Sequence, residues 1–405
     1  MARNRPLIAL ASLGTALLLL PAAAAAQGSN IVSPASEHSP AVAAGWTVTP
    51  SIGYAGVWDD NALMQGNGSV PLGDFVSIIN PRGFVDFNGK KGQFTAGYDG
   101  GFVLYRELQT LNNYEQRGWF SGRRRLAPHV TLFVNNEASA VPTTELAQLV
   151  AVPFVRTGTR LDFLRGGVEA AFSKATSLVA SSDFQWVSFD HSAPGAALLQ
   201  GGHSLGGALA LNHQIGKHIT LIADADLQHA TLGGGQTFDV QNFRAGVDFK
   251  VSNATHVFGL GGASHLNAVT TTAAARIGPA VRLGLTHEFQ KVAVDLIYNR
   301  SFVPSIGFGG TFQNQETTAR VRLPVGRHLY ATSSVIWRNT DPLETADLPL
   351  RSLWVEGAVG YILTPMVRVE GFYSGTHQQI SRPGGTLDRN TVGFMVITAK
   401  SVRVR

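Results

Sequence analysis

Short runs in which apolar and polar residues alternate strictly recur along most of the chain. In one run Val281, Leu283 and Leu285 point one way, while Arg282 and its polar neighbours point the other way. A few polar residues follow, and a second alternating run then covers residues 292–299. Alternation with a period of two residues predicts β-strands that have one apolar and one polar face.

About eighteen such strands fit between Trp46 and Lys400, and two kinds of connection join them in turn. Tight turns such as Asn88–Gly92 alternate with longer segments rich in Gly, Pro and Asn, such as Asp190–Gly202 and Thr376–Thr386. Short turns on one side and longer loops on the other are typical of outer-membrane barrels. The pattern therefore predicts an all-β fold, a closed antiparallel transmembrane β-barrel of about 18 strands with short periplasmic turns and longer extracellular loops, over residues 45–405.

A soluble sandwich, propeller or β-helix is the competing interpretation. No blade-length motif recurs, as a propeller would require, and nothing is available to cover the apolar strand faces. Aromatic residues near strand ends fit the interfacial girdles of a membrane barrel; they are Trp46, Tyr54, Phe87, Trp186, Tyr298, Trp337 and Tyr361. One feature disagrees, because the C-terminus lacks the terminal aromatic residue that is common in such barrels.

The N-terminus resembles a secretory signal. Arg3 and Arg5 precede the apolar segment Leu7–Leu20, and Ala24–Ala26 offers a small-residue cleavage site. The apolar segment is too short to span a bilayer as a helix. We therefore expect residues 1–26 to be a cleaved signal peptide and residues 27–44 a flexible periplasmic leader.

Composition narrows the chemistry. The 405 residues include no Cys, which excludes disulfides and thiolate metal sites. The net charge is only +5, and basic residues do not alternate with aromatic residues as they would on a nucleic-acid-binding surface. No spacing of His or carboxylates suggests a metal site. We therefore predict no cofactor, no metal and no nucleic-acid partner.

The polar strand faces carry charges of both signs. A barrel of this strand number encloses a lumen, so these charges can line an aqueous channel without losing their hydration. The alternative interpretation is that they only brace the wall in pairs, such as Asp295 with Arg282. The residues predicted to line the lumen are Arg82, Asp99, Asp183, Asp224, Asp226, Arg244, Asp248, Arg282, Asp295, Glu316, Arg320, Arg322, Arg368 and Glu370.

One motif suggests an enzyme. Gly202–Gly206 matches G-x-S-x-G, the nucleophile elbow of lipases and esterases. That motif works on a strained turn between a strand and a helix, whereas here it leads into a strand rich in Gly and Ala. We therefore predict no catalytic residues and no enzymatic activity.

Three short segments resemble the β-barrel porin-2 group of bacterial outer-membrane proteins. They are Trp46–Ile52 with Trp58–Asn61, Asn113–Gly118, and Leu126–Leu132. The resemblance implies an outer-membrane pore without catalytic residues. Members of the group often accompany exopolysaccharide export, so the resemblance also implies polysaccharide as a candidate cargo.

Two functions follow as hypotheses. The first is a porin-like channel in the bacterial outer membrane that passes a polar solute or polysaccharide passively, narrowed by the loops Asp59–Gly73 and Ala140–Arg156 if they fold inward. The second is a non-conducting structural or adhesive barrel whose loops bind partners. In both, the expected partners are outer-membrane lipid and, during biogenesis, the barrel-assembly machinery.

Overall fold

The computed structural model describes residues 44–66, 70–147, 149–191, 199–269, 275–289, 292–343, 349–380 and 385–404. The predicted signal peptide lies outside the described residues, as does the predicted leader except for Ala44. The strands are β1 Gly45–Asp59, β2 Asp74–Asn88, β3 Gly92–Tyr105, β4 Asn113–Ala127, β5 Val130–Val141, β6 Thr159–Ala171, β7 Thr176–Phe189, β8 Gly202–Gln214, β9 Ile219–Leu232, β10 Thr237–Lys250, β11 Thr255–Ala268, β12 Arg276–Phe289, β13 Val292–Pro304, β14 Thr311–Pro324, β15 Leu329–Pro342, β16 Leu350–Thr364, β17 Val367–Ile380, β18 Gly385–Ala399 and the short β19 Val402–Val404. The described helices are α1 Thr144–Ala147 and a 3-10 turn at Gln109–Leu111.

Each long strand pairs antiparallel with its neighbours in chain order, and the sheet closes on itself. On one side β1 pairs with β2, and on the other side it pairs with β18 along Ser51–Asp59. The short β19 continues the line of β18 and pairs with Trp46–Val48 of β1. The chain is therefore a closed antiparallel barrel of 18 strands, as the alternation predicts.

Connections at the two ends of the barrel differ in length. The connection between β17 and β18 is shorter than predicted. Both β17 and β18 continue through most of the segment Thr376–Thr386, which was expected to be a loop, so the connection is only residues 381–384. Alternation is hidden there because both strand faces are polar: Gln378 is buried inside, while His377 lies on the outer face opposite Asp388.

The outer face of the barrel is apolar and exposed. Leu209, Leu283 and Leu296 are 53%, 47% and 45% exposed, whereas Arg282 on the opposite strand face is 4% exposed. Closure satisfies the backbone hydrogen bonds without water, which is what a spanning segment requires. A closed barrel with an exposed apolar exterior is a transmembrane barrel of the outer-membrane type. Among the described residues, no helix is long and apolar enough to cross a membrane.

Strands β10 and β11 approach each other closely at Gly262. A Cβ atom at this position would lie 1.8 Å from the backbone oxygen of Phe243, whereas a Cβ at the adjacent Gly261 would meet nothing within 4 Å. We expect Gly262→Ala to destabilise the barrel by about 1–3 kcal/mol because the two backbones must separate. The temperature at which the compact, SDS-resistant form converts to the unfolded band measures this effect. Gly261→Ala is the matched control, and equal shifts for both variants would contradict the steric argument.

Candidate functional site

All fourteen residues predicted to line the lumen lie on strand faces that point into the barrel. The cross-strand register places Arg82 opposite Asp99, Asp224 opposite Arg244, and Asp295 opposite Arg320. The suggested pairing of Asp295 with Arg282 differs from this register, because Arg282 lies opposite Asn299.

Much of this interior is packed, in contrast to the expected hydrated lumen. Arg244 Nε lies 2.7 Å from Asp224 Oδ1, a second contact joins Arg244 to Asp226, and both Arg244 and Asp224 are buried. On β2 and β3, Arg82 Nε lies 3.1 Å from Asp99 Oδ1. Side chains of this length occupy the interior themselves, so several charges are held by their partners and contact little solvent. The members of the predicted set that are less than 10% exposed are Arg82, Asp224, Arg244, Asp248, Arg282 and Glu370.

The remaining members lie in more accessible parts of the interior. Arg338 Nε donates to Glu316 Oε2 at 2.8 Å, and Arg368 Nε lies 3.3 Å from Glu370 Oε1. Near the turn end of β14, Arg322 is exposed. The partly accessible residues of the set are Asp99, Asp183, Asp226, Asp295, Glu316, Arg320 and Arg368. Accessible charges therefore occur on several strands, and the most exposed member of the set is Arg322 at the turn end of β14.

A single connection fills much of the loop end of the barrel. This crossing loop comprises residues 142–158 between β5 and β6. The predicted loop, Ala140–Arg156, begins and ends two residues before this connection does. The two arms of this connection are joined where Thr144 N donates to Val155 O at 3.0 Å and Thr144 Oγ1 donates to Pro153 O at 2.6 Å. The loop is therefore a closed, compact unit.

The crossing loop reaches the far wall of the barrel, where an ion network holds it. Arg389 of β18 contacts Glu145 of the loop and also makes two hydrogen bonds to Asp59 of β1, at 3.1 and 2.7 Å. Thr376 of β17 donates a further hydrogen bond to Glu145. All four residues are at most 5% exposed. We call Asp59, Glu145 and Arg389 the latch.

Further contacts fix the rest of the crossing loop. Arg338 Nη1 of β15 donates to Leu149 O at 3.0 Å, and Phe154 N donates to Gln378 Oε1 of β17 at 2.7 Å. The tip also contacts the β13–β14 connection, where Ser305 Oγ donates to Ala151 O at 2.8 Å. Because these contacts lie on β15, β17 and a separate loop, the crossing loop spans the lumen from β5 and β6 to the opposite wall.

Apolar packing supports the crossing loop on the β6–β13 side. The cluster includes loop residues and the inward side chains of several strands. We call this set the apolar plug; it comprises Val141, Leu146, Ala147, Leu149, Val152, Leu161, Val187, Phe189, Leu199, Leu232, Phe238, Val240, Leu266, Phe302 and Ile306. The alternation pattern did not predict the plug, because it assigns polar residues to the inward face. Apolar residues at inward positions interrupt that pattern and give no sign that they pack together.

A recess remains open beside the crossing loop. Its volume is about 1170 Å³, and its walls come from residues 63–65, 110–114, 140–142, 155–160 and 188–190. Arg156 lines it, and its guanidinium donates to Ala62 O at 3.1 Å and to the Tyr105 hydroxyl at 3.2 Å. We call this space the vestibule. It is an open recess at the loop end, lined by polar and apolar residues in similar measure.

Below the vestibule the inner wall of β4–β7 remains polar. Arg117 Nε lies 3.3 Å from Glu137 Oε1, and Arg123 contacts Glu169 farther towards the turn end. The Arg123 side chain is 37% exposed, in contrast to 6% for Arg244, which is held by Asp224 and Asp226. An accessible polar surface therefore follows β4–β7 towards the turn end, whereas the wall around Arg244 on β9 and β10 is packed.

Ser204 of the G-x-S-x-G motif lies inside β8 and is fully buried, with Gln228 Nε2 donating to its hydroxyl at 3.1 Å. The strand continues to Gln214, so the motif does not lie on a strand-to-helix turn. In the part of the chain that the structure describes, no group of three or more His, Asp or Glu residues is arranged to hold a metal ion.

The comparisons with known proteins concern architecture. No protein-family model and no curated protein matches the chain. Among solved structures, Acinetobacter baumannii OccAB4 is 8% identical with a TM-score of 0.47, covering 88% of this chain and 98% of that chain. Pseudomonas aeruginosa OpdK, solved with vanillate, is 10% identical with a TM-score of 0.44, covering 88% and 99%. The P. aeruginosa siderophore receptor PirA is 8% identical with a TM-score of 0.45, covering 90% and 81%. This chain is similar to these three proteins in its general fold.

Proposed function

We propose that the protein is an outer-membrane channel that passes a small polar solute by diffusion. The observation that carries this proposal is that the vestibule is lined by the loop ends of β4–β7, whose inward faces carry two ion pairs farther towards the turn end. A solute entering beside Arg156 meets the Arg117–Glu137 and Arg123–Glu169 pairs, whose charges are partly accessible. Charged groups lining a pore set ion selectivity.

The latch and the crossing loop limit the size of the solute. The loop occupies the centre and the far side of the mouth, so a path must pass through the remaining sector. A bulky polysaccharide is therefore a weaker candidate than a small solute, although the resemblance to the porin-2 group favours it. The expected cargo carries polar groups, since the accessible wall offers ion pairs.

Conductance in planar bilayers tests the proposal. We expect a modest single-channel conductance for the intact protein and a several-fold increase when loop residues 146–153 are replaced by a short Gly-Ser linker, because the linker clears the centre of the mouth. Folded protein that conducts nothing, both intact and with the shortened loop, would refute the channel. That result would favour the second hypothesis, a non-conducting barrel whose anchored loop is a permanent plug.

Selectivity tests the role of the accessible arginines. Arg320 and Arg322 lie on the inner face of β14 near the turn end. We expect Arg320→Gln with Arg322→Gln to shift the reversal potential towards cations at low salt, because local positive potential is lost. At 1 M salt the shift should largely disappear, since the screening length falls to about 3 Å. Arg351→Gln, which removes an exposed cation on the outer face of β16 and away from the vestibule, is the control and should leave the reversal potential unchanged.

A further inference from the structure

The barrel wall contains an unpaired seam between β12 and β13. Their pairing ends at Val281 opposite Arg300, although β12 begins at Arg276 and β13 continues to Pro304. Residues 276–280 pair with β11 on their other side, and residues 301–304 pair with β14. Both segments are therefore ordered strands that do not bond to each other. Among the strand pairs that the structure describes, only this one stays unpaired over at least four residues in both strands.

The upper part of β13 leaves the wall and lies inside β12. Phe302 N donates to Ser264 Oγ of β11 at 3.0 Å, although β11 is two strands away and Ser264 is a fully buried interior residue. By alternation Phe302 should face lipid, as Leu296 does, yet it is only 4% exposed. Its ring packs on the inner surface of β12 against Gly278, where a Cβ would lie 2.4 Å from the ring. Phe302 therefore closes the seam from inside.

The local sequence suits an open edge. Pro279 has no backbone N–H to donate, and proline in sheets is confined to edges and bulges. Gly278 leaves room for the aromatic ring, and Pro304 ends β13 where the chain turns inward. An unpaired edge elsewhere in a membrane wall would leave backbone groups without partners, which lipid does not tolerate. This seam is thus encoded by residue type.

Both sides of the seam are apolar. Outside, Ile277 is 78% exposed and Pro279 is also exposed, in the loop-end third of the strand. Inside, Phe302 belongs to the apolar plug together with Leu266, Phe238 and Ile306. The unpaired stretch of four residues is about 13 Å long, at about 3.3 Å per residue. Apart from Ser264 beside Phe302, the residues that the route passes are mainly apolar, so an alkyl chain could exchange lipid contacts for contacts with the plug at little cost.

We propose that this seam is a lateral binding site and portal for the alkyl chain of an outer-leaflet amphiphile, with Phe302 as its gate. When the Phe302 ring rotates away from Gly278, the chain enters between β12 and β13 and packs against Leu266 and Phe238. The amphiphile enters from the membrane and not through the mouth of the barrel, because the outer side of the seam faces lipid. This site is separate from the polar wall of β4–β7, so it does not depend on the proposed channel.

Photocrosslinking tests the portal. The full-length mature protein is reconstituted in phosphatidylcholine nanodiscs with a palmitic acid analogue that carries a mid-chain diazirine, and adducts are mapped by mass spectrometry. The measured quantity is the ratio of adducts on interior plug residues to adducts on Leu209, an exposed residue of the outer face. We expect interior adducts in the wild type and a several-fold higher ratio in Phe302→Ala.

Two further variants make the result specific. Phe372→Ala removes a buried ring from β17, where the wall is paired on both sides and far from the seam, and should leave the ratio unchanged. Ala280→Cys with Ser301→Cys places a thiol pair one step beyond the last bonded residues and keeps Phe302. Oxidation should fasten the seam and lower the ratio, and reduction should restore it. Adducts confined to the outer face in every variant would overturn the proposal, as would interior adducts that persist unchanged after oxidation.

Discussion

Replacing Arg389 with methionine should destabilise the folded barrel by about 3–5 kcal/mol. The substitution removes the shared partner of Asp59 and Glu145 and leaves two buried carboxylates without their cation. Removing one member of a buried ion network is costly because the remaining charges are already desolvated. Urea unfolding of the protein in lipid, followed by the loss of the SDS-resistant form, measures the change in free energy.

The matched control is Arg351→Met, which removes an exposed arginine from the outer face near the loop end of β16 and should change stability little. Neutralising the whole latch as Asp59→Asn, Glu145→Gln and Arg389→Met should recover most of the loss, because no buried charge then remains unpaired. A triple variant as unstable as Arg389→Met alone would show that packing around Arg389, and not its charge, carries the effect.

An arginine in place of Leu296 should cost about 2–4 kcal/mol. Leu296 is 45% exposed on the outer face of β13, in the part of the strand that is paired on both sides. At this depth the side chain contacts lipid hydrocarbon, and a cation there loses its hydration. The measurement is equilibrium unfolding from lipid vesicles with urea.

Asp295→Asn is the control on the adjacent position. Asp295 lies on the inner face opposite Arg320, so the change alters lumen charge without placing a new group in lipid. We expect the variant to fold with near wild-type stability. If Asp295→Asn were the more harmful of the two substitutions, the inner and outer faces of β13 would be reversed.

The fold was predictable because each barrel strand carries the same simple physical requirement. One face meets lipid and the other does not, so alternation around Leu283 and Arg282 is enough to locate a strand and orient it. The same argument places all fourteen charged residues on inward faces. It fails at Thr376–Thr386, because strand ends that rise above the hydrocarbon no longer need an apolar outer face.

The contents of the barrel could not be derived in this way. The latch brings together residues 59, 145 and 389, and no local pattern connects positions so far apart. The crossing loop was recognised as long, but its inward course depends on partners such as Arg338 and Gln378 across the lumen. Alternation also predicts the wrong environment for Phe302, because the burial of its side chain results from the displacement of the whole end of β13.

The latch has a consequence for the order of events during biogenesis. Asp59 lies at the end of β1 and Arg389 lies in β18, and they are neighbours only because these two strands pair with each other. Before that pairing forms, Glu145 has no complete docking site on the far wall. The crossing loop can therefore reach its native position only after β1 and β18 have paired. Docking of the loop thus occurs only in a closed barrel.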